Sequence, residues 1–389
     1  MSNLARNPVE PSPVELSGEL FPLDEQWDQM HLTDRLHLLR QRLNEAIGSE
    51  FIHRIAIASY EPEYGRLKTY SSAGHQPSPM DHYEAELSQV PTLARLAEEG
   101  RPRLVHDYID HPSQQPHTAA LRESGLRSGL ILPLHLDGDF YGFAFFNSVE
   151  PSYFSGRVLG WLAPYADLVR MLAINSIRKT RTLRGAARTA MAFGRARDDE
   201  TGAHLLRMGE YSRLIARGLT GPHKVTDEFV DMVYQFSPVH DIGKVAIPDS
   251  VLLKPGRLSD EEFAQIREHV PRGMAMVQQM ADELDLREDH RTRVLSNIVA
   301  YHHERLDGSG YPIGVTGERI PLEGRIVAVA DVFDALTTRR VYKPAWEVED
   351  AARELRREVE ANKLCGVCVE AFLNQREAIE QIRHRHGLE

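Results

Sequence analysis

The chain has 389 residues, 42% hydrophobic and 26% charged, with a formal net charge of −11. That balance supplies two or three packed domains and argues against a protein that grips polymeric nucleic acid through a basic stripe. Only Cys365 and Cys368 occur, which excludes a disulfide framework and suits a reducing compartment. No run reaches the roughly 18 apolar residues of a membrane span, and the start MSNLARNPVEPSPVE lacks an apolar signal core. The expectation is a cytoplasmic protein without membrane insertion.

In chain order, residues 1–26 are rich in Pro, Ser and Glu and read as a loose tail. Leu36, Leu39, Leu43 and Ile47 then recur at helical spacing, predicting a helix over 32–47. HRIAIASYEPEYGRLKTYSSAG alternates around a turn and predicts a hairpin. SGLILPLHLDGDFYGFAFFNS predicts a second one around Asp137-Gly138. A further helix is expected over 158–177. Helix, antiparallel strands and closing helix make an α+β domain over 27–177, and their order resembles a GAF domain, a small sensory module. Residues 178–197 carry seven basic residues and no Pro. They read as a connecting helix whose charges form a solvated face and which could pair with a second copy in a homodimer. From 198 to 389 apolar residues recur at three- and four-residue spacing, predicting an all-α helical bundle.

The chemistry concentrates in that second half. HDIGK places His240 beside Asp241, and HHERLDGSGYP places His302 beside His303. Imidazole and carboxylate both ligate divalent first-row metals, and adjacent side chains on a helix diverge by roughly 100° and can serve two ions. Glu200 and His204 are spaced i, i+4 and share a helix face. His269 falls within the IREHV helix, and Asp331 within a strongly apolar helical stretch, where an acid is costly without a partner. A single His among 18 tells little. Jointly, these five histidines and three carboxylates in an apolar bundle point to a site of two or three ions. Without thiolates the donors suit iron or manganese at least as well as zinc. Closely spaced ions are suited to phosphoester hydrolysis, where they activate a water and stabilise the charge that develops.

HDIGK, HHERLDGSGYP and the Asp of VAVADVFDALTTRRVYK resemble the HD-GYP family of HD-superfamily phosphodiesterases, over about residues 185–375. The resemblance implies hydrolysis of cyclic di-GMP to linear pGpG and, in some members, to GMP, with a sensory domain in front of the catalytic one. It implies metal positions at His204, His240, Asp241, His269, His302, His303 and Asp331. Glu200 matches the extra carboxylate of three-metal members, typically iron, so a trinuclear site is favoured over a binuclear one. The resemblance places Lys244 on a phosphate oxygen beside the attacking water, alongside His240 and Asp241 as the catalytic set. It also places Gly308, Gly310, Tyr311 and Pro312 in the loop that meets the substrate, and Arg340 and Lys343 on phosphate or guanine. Glu304 and Asp307 are expected to orient neighbours.

Val341 and the stretch KLCGVCV depart from the family pattern. The Cys-x-x-Cys pair allows a zinc reading with His384 and His386, against simple packing at a helix start. Two rival functions stand beside the enzyme reading: a catalytically silent protein that binds a cyclic dinucleotide, and a hydrolase of another cyclic dinucleotide.

Overall fold

The computed structural model describes residues 30–48, 50–74, 80–110, 115–194, 202–219, 223–338 and 345–387. The expected tail over 1–26, the site candidates Glu200, Arg340 and Lys343, and Val341 lie outside the described residues.

Helix α1 (Leu32–Ile47) buries Leu32, Leu36, Leu39 and Leu43, the stripe that its apolar spacing requires. It packs on a six-stranded antiparallel sheet of order β3-β2-β1-β6-β5-β4. The strands are β1 (Ile52–Glu61), β2 (Arg66–Ala73), β3 (Glu84–Glu86), β4 (Arg103–Val105), β5 (Ser128–Leu136) and β6 (Asp139–Ser148). Both expected hairpins form, as β1–β2 and β5–β6. In the second, Asp137 and Gly138 both have positive φ, at 54° and 87°. That is the backbone a two-residue turn needs to match strand twist. Helices α2 (Pro91–Glu99) and α3 (Pro116–Glu123) lie in the connections between strands. One sheet face buries Ile55, Ile57 and Phe146 with α1. Leu67, Val105, Leu121, Ile131 and Phe143 form a separate core.

Helix α4 (Gly156–Gly194) is one continuous helix of 39 residues, where the sequence suggested a closing helix followed by a connecting one. Its first part closes the sheet domain through Leu162, Val169, Ala173 and Ile177, and its later part enters the second core through Leu183 and Ala187. The basic run is only in part the solvated face expected: Arg178 and Arg188 are exposed, and Arg195 and Arg197 lie outside the described residues. Lys179 reaches Asp289 at 3.2 Å, Arg184 bonds Gln235 and Glu63, and Arg181 donates to the carbonyl of Tyr60. These three charges reach into both halves, because the helix lies across both.

The second half is helical, as expected. Its helices are α5 (Gly202–Gly218), α6 (Asp227–Phe236), α7 (Asp249–Leu252), α8 (Asp260–Arg267) and α9 (His269–Glu283). They continue with α10 (His290–Tyr301), α11 (Leu322–Thr337), α12 (Val348–Glu360), α13 (Gly366–Leu373) and α14 (Arg376–Arg385). Local chemistry sets several boundaries. Thr226 caps α6 by accepting from the amide of Phe229, and Ser259 with Glu262 forms a capping box on α8. The loop expected at IPDSVLLKPGRLS contains the one-turn helix α7. Cys365 and Cys368 are buried at the start of α13, in the packing role. His386 stands 3.5 Å from Glu210.

The halves meet along a polar seam. Lys68 bonds both Glu61 and Asp231, His82 pairs with Asp227 at 2.5 Å, and Glu84 accepts from Arg213 and Arg217. At one end, buried Glu228 accepts from the Leu32 amide at 3.0 Å and from Arg291 at 3.1 Å, with His290 Nε2 3.1 Å away.

Candidate metal centre

His240 and Asp241 do not lie on a regular α-helix. They sit between two 3-10 turns, Ser237–Val239 and Ile242–Ala246, just beyond α6. His269 is the first residue of α9, and His302 and His303 follow directly on α10. His204 lies in the first turn of α5 and Asp331 in α11. Every described metal candidate therefore stands at an element end or projects from a helix into one place. Gly243 makes the closest of these approaches possible, since a Cβ there would collide with the carbonyl of His269.

Two groups of donors result. Asp241, His269, His302 and His303 bring one ligand atom each to within 4.8 Å of one another, and His204, His240 and Asp331 do the same. The neighbours His240 and Asp241 thus fall into different groups, as their divergence on the chain suggested. Asp241 also touches both. Its Oδ2 is 3.0 Å from His240 Nε2, and its Oδ1 is 3.1 Å from His269 Nε2 and 3.6 Å from His302 Nε2.

Hydrogen bonds on the far side of each ring fix these histidines. Nδ1 of His240 meets the carbonyl of Ser237 at 2.8 Å, that of His269 meets Ile266 at 2.7 Å, and that of His302 meets Ile298 and Val299 at 3.0 Å. Donation through Nδ1 leaves the Nε2 lone pair facing the centre. Nε2 of His204, His269 and His302 is buried with no hydrogen-bond partner. Buried polar atoms seldom remain so without a purpose, and lone pairs converging beside carboxylates are what a divalent cation accepts. The donor set present therefore fits metal.

The electrostatics agree. Burial opposes the charge on Asp241, but the Lys244 ammonium at 2.8 Å and His240 hold its carboxyl well below the usual range. Burial is the main cause that pushes His302 and His303 down, so both rings are neutral and ready to donate lone pairs.

Three residues that the sequence reading missed complete the surroundings. Asp334, one turn beyond Asp331, accepts from His204 Nδ1 at 2.7 Å and is itself held by Arg207. Its i+3 spacing from Asp331 on an apolar helix was the available signal. Arg267 lies 5.0 Å over the ring of Tyr311, a contact that no spacing could reveal. Tyr311 stacks on His303 at 4.6 Å, and burial pushes its hydroxyl up, keeping it protonated. Glu304 anchors the glycine loop as expected, accepting from the amides of Ile313 and Gly314. Asp307 accepts from Ser309 within the loop. Gly310 packs where a Cβ would press on the backbone of Glu304 and Arg305.

Residues 199–364 match the HD domain family. A cyclic di-GMP phosphodiesterase of Vibrio cholerae serotype O1 is 42% identical over 203 residues, 51% of this chain and 40% of that protein. A 3′3′-cGAMP-specific phosphodiesterase 2 of the same organism is 44% identical over 160 residues, 41% of this chain and 28% of that protein. The chain thus spans less than half the length of either relative. Among solved structures, the GAF domain of a Coxiella burnetii phosphoenolpyruvate-protein phosphotransferase aligns over 38% of this chain and 86% of its own, with 15% identity and a TM-score of 0.31. No described helix is long and apolar enough to cross a membrane. It is over residues 199–364, within the helical second half, that the chain is similar to HD domains.

Proposed function

We propose that the chain is a metal-dependent phosphodiesterase that hydrolyses cyclic di-GMP to pGpG, under the influence of its N-terminal α+β domain. The observation that carries this reading is the convergence of buried imidazole Nε2 atoms around Asp241, each ring tied at Nδ1. The proposed ligands are His204, His240 and Asp331 on one side and Asp241, His269, His302 and His303 on the other. Glu200 completes a trinuclear set, filled by iron in preference to manganese.

Bound metal would supply Lewis-acid stabilisation and water activation at neutral pH. The chain's own residues do the rest. Asp241, shared by the two donor groups, sets their separation. Lys244 brings a mobile cation to the edge of the site, where a phosphate oxygen can take the place of Asp241 as its partner. Tyr311, protonated and held by His303 and Arg267 against its ring, offers a hydroxyl donor. Asp334 orients His204. Arg340 and Lys343 are assigned to phosphate or guanine.

The test is anaerobic turnover of cyclic di-GMP with metal content determined on the same sample. Loss of turnover by roughly a thousandfold or more on replacing His240 and Asp241 together by Ala is expected. A ratio near three ions per chain supports the trinuclear set, and a ratio near two reduces it to the described residues. Full metal loading without hydrolysis overturns the enzyme in favour of nucleotide binding alone.

A second reading, hydrolysis of 3′3′-cGAMP, is favoured by the relative named for that substrate. Turnover of the two cyclic dinucleotides in parallel separates them. A homodimer is supported by Trp161, Leu168 and Met171, all exposed along one side of α4. Light scattering that reports a monomer at micromolar concentration would remove it.

A further inference from the structure

The two cysteines that pack the start of α13 carry features that packing does not require. Cys365 caps the helix and Cys368 lies in its first turn, and the two thiols share a hydrogen bond. They are the only cysteines in the chain, and both are free. Cys368 is completely buried, whereas Cys365 keeps 8% of its surface open beside the exposed Val367. One reachable thiol with a second directly behind it is what a dithiol needs to close on itself.

Arg325 of α11 is the third member. Its guanidinium lies 3.9 Å from Cys365 Sγ, and its Nε is buried with no hydrogen-bond partner. A neutral sulfur is a weak acceptor, whereas a thiolate is a full counter-charge for a guanidinium. The hydrogen bond from Cys368, the amides of Cys368 and Val367, and Arg325 together outweigh burial and bring the Cys365 pKa down to about 5. The hydrogen bond to Cys365, together with burial, pushes the Cys368 thiol up. One sulfur is thus a nucleophile at neutral pH, and the other holds its proton.

We propose that Cys365 and Cys368 form a reversible redox site, oxidised to an intramolecular disulfide by low-molecular-weight disulfides, with Arg325 as the partner of the reduced form. In the first step the Cys365 thiolate attacks one sulfur of the small disulfide, whose S–S bond breaks to release a thiolate. In the second, Cys368 gives its proton to solvent and attacks the Cys365 sulfur, expelling the other half as a thiolate. Two electrons pass from the protein to the small disulfide. Oxidation removes the counter-charge of Arg325 on α11, the helix that also carries Asp331. It also acts on the segment before Cys365, where the Lys363 carbonyl accepts from the amide of Leu306 at 3.1 Å, at the entry to the glycine loop. This chemistry is independent of whether the chain turns over cyclic di-GMP.

The test equilibrates the full chain, without oxygen, against reduced and oxidised glutathione at a series of ratios. Acid quenching, alkylation under denaturing conditions and mass spectrometry then read the tryptic peptide Leu364–Arg376. A peptide that escapes alkylation and is lighter by two hydrogens is expected at oxidising ratios, and it should revert in excess reduced glutathione. Cys368→Ser should instead trap glutathione on Cys365. Two alkylated cysteines at every ratio overturn the site, and a mixed disulfide that persists in the parent chain overturns the closing step. In the native chain at pH 7, iodoacetamide should modify Cys365 at least about tenfold faster than Cys368. Equal rates overturn Cys365 as the attacking sulfur. Arg325→Gln should slow that modification several-fold, and the parent chain's comparison stands even if this variant fails to fold. Hydrogen exchange of the Leu306 amide should change on oxidation, and an unchanged rate overturns the connection to the glycine loop.

Discussion

Two buried clusters in this protein use the same residue types for opposite ends. At the seam between the halves, His31, Glu228 and His290 bring ligand atoms within 4.8 Å of one another, as close as the donors around Asp241. Glu228, however, is already neutralised by Arg291 and takes the Leu32 amide as well. Arg291 also bonds Thr180 and Ser176 of α4, so one guanidinium ties three elements together. At the seam His31 Nδ1 is buried without a hydrogen-bond partner, whereas around Asp241 the Nε2 atoms of His204, His269 and His302 are all in that state. A buried carboxylate needs a cation. The seam takes it from an arginine and becomes a structural joint, whereas Asp241, paired with Lys244, also stands among several inward-facing imidazole nitrogens that can hold a metal. Proximity of histidines and acids therefore identifies a candidate, and the convergence of several open lone pairs on one place separates the site from the joint.

That contrast can be broken most forcefully at Arg291. Arg291→Met leaves Glu228 buried without its cation, and breaking one side of such a pair costs about 3–5 kcal/mol. Calorimetry should record the loss, while metal content stays at the parent level. A fall in bound metal would mean that the two clusters are not separable. The corresponding change beside the HD site is Asp334→Asn, which removes the acceptor that orients His204. Outer ligand partners of this type are worth roughly tenfold to a hundredfold in metal affinity, to be read from competition with a chelator. Retention of full affinity would reduce Asp334 to a partner of Arg207 alone.

Acid sharpens the contrast further. Burial and the neighbouring His290 lower the pKa of His31, so the folded seam prefers the neutral ring. That stability is present above the ordinary value of 6.5 and is lost as pH falls below it. Burial opposes the charge on Glu228, but His290 and Arg291 hold its carboxyl down. Its contribution is present above 4.5 and disappears as pH falls further. The protection factor of the Leu32 amide, which donates to Glu228, should fall below about pH 6.5 and again below about pH 4.5, once the slower intrinsic exchange at low pH is divided out. An amide equally protected at pH 7 and pH 4 would contradict this assignment. The smallest effect is expected at Arg267→Ala. Loss of its cation–π contact with Tyr311 should cost about 0.5–1 kcal/mol, seen as a several-fold rise in KM for cyclic di-GMP with kcat nearly unchanged. A kcat that falls as steeply as KM rises would give Arg267 a larger part in the reaction.

Much of the site was legible because its chemistry is written in residue types and short spacings. HDIGK and HHERLDGSGYP name His240, Asp241, His302 and His303, and an acid in an apolar helix marks Asp331. The structure brings these together with His204 and His269. Asp334 was overlooked because Asp331 already accounted for the polarity of that helix. The basic run of α4 misled because a charge pattern carries no record of its partners. Lys179 pairs with Asp289 and Arg184 with Glu63, each partner more than 100 residues away, and only folding brings them together. Glu228 and Arg291 were invisible for the same reason.

By itself the sequence determined the local and periodic features. These are the α1 stripe, the two hairpins with their Asp137-Gly138 turn, the helical second half, and the residue types able to hold metal. Each depends on interactions within a few residues, or on solvent exclusion along one face, so a linear pattern records it. Tertiary structure alone decided which lone pairs are satisfied and which buried charge finds its partner. The joint at Glu228, the converging nitrogens at Asp241 and the guanidinium beside Cys365 all arise from groups that meet only when distant elements pack. Desolvation, which makes a charge costly or a lone pair available, exists only after that packing.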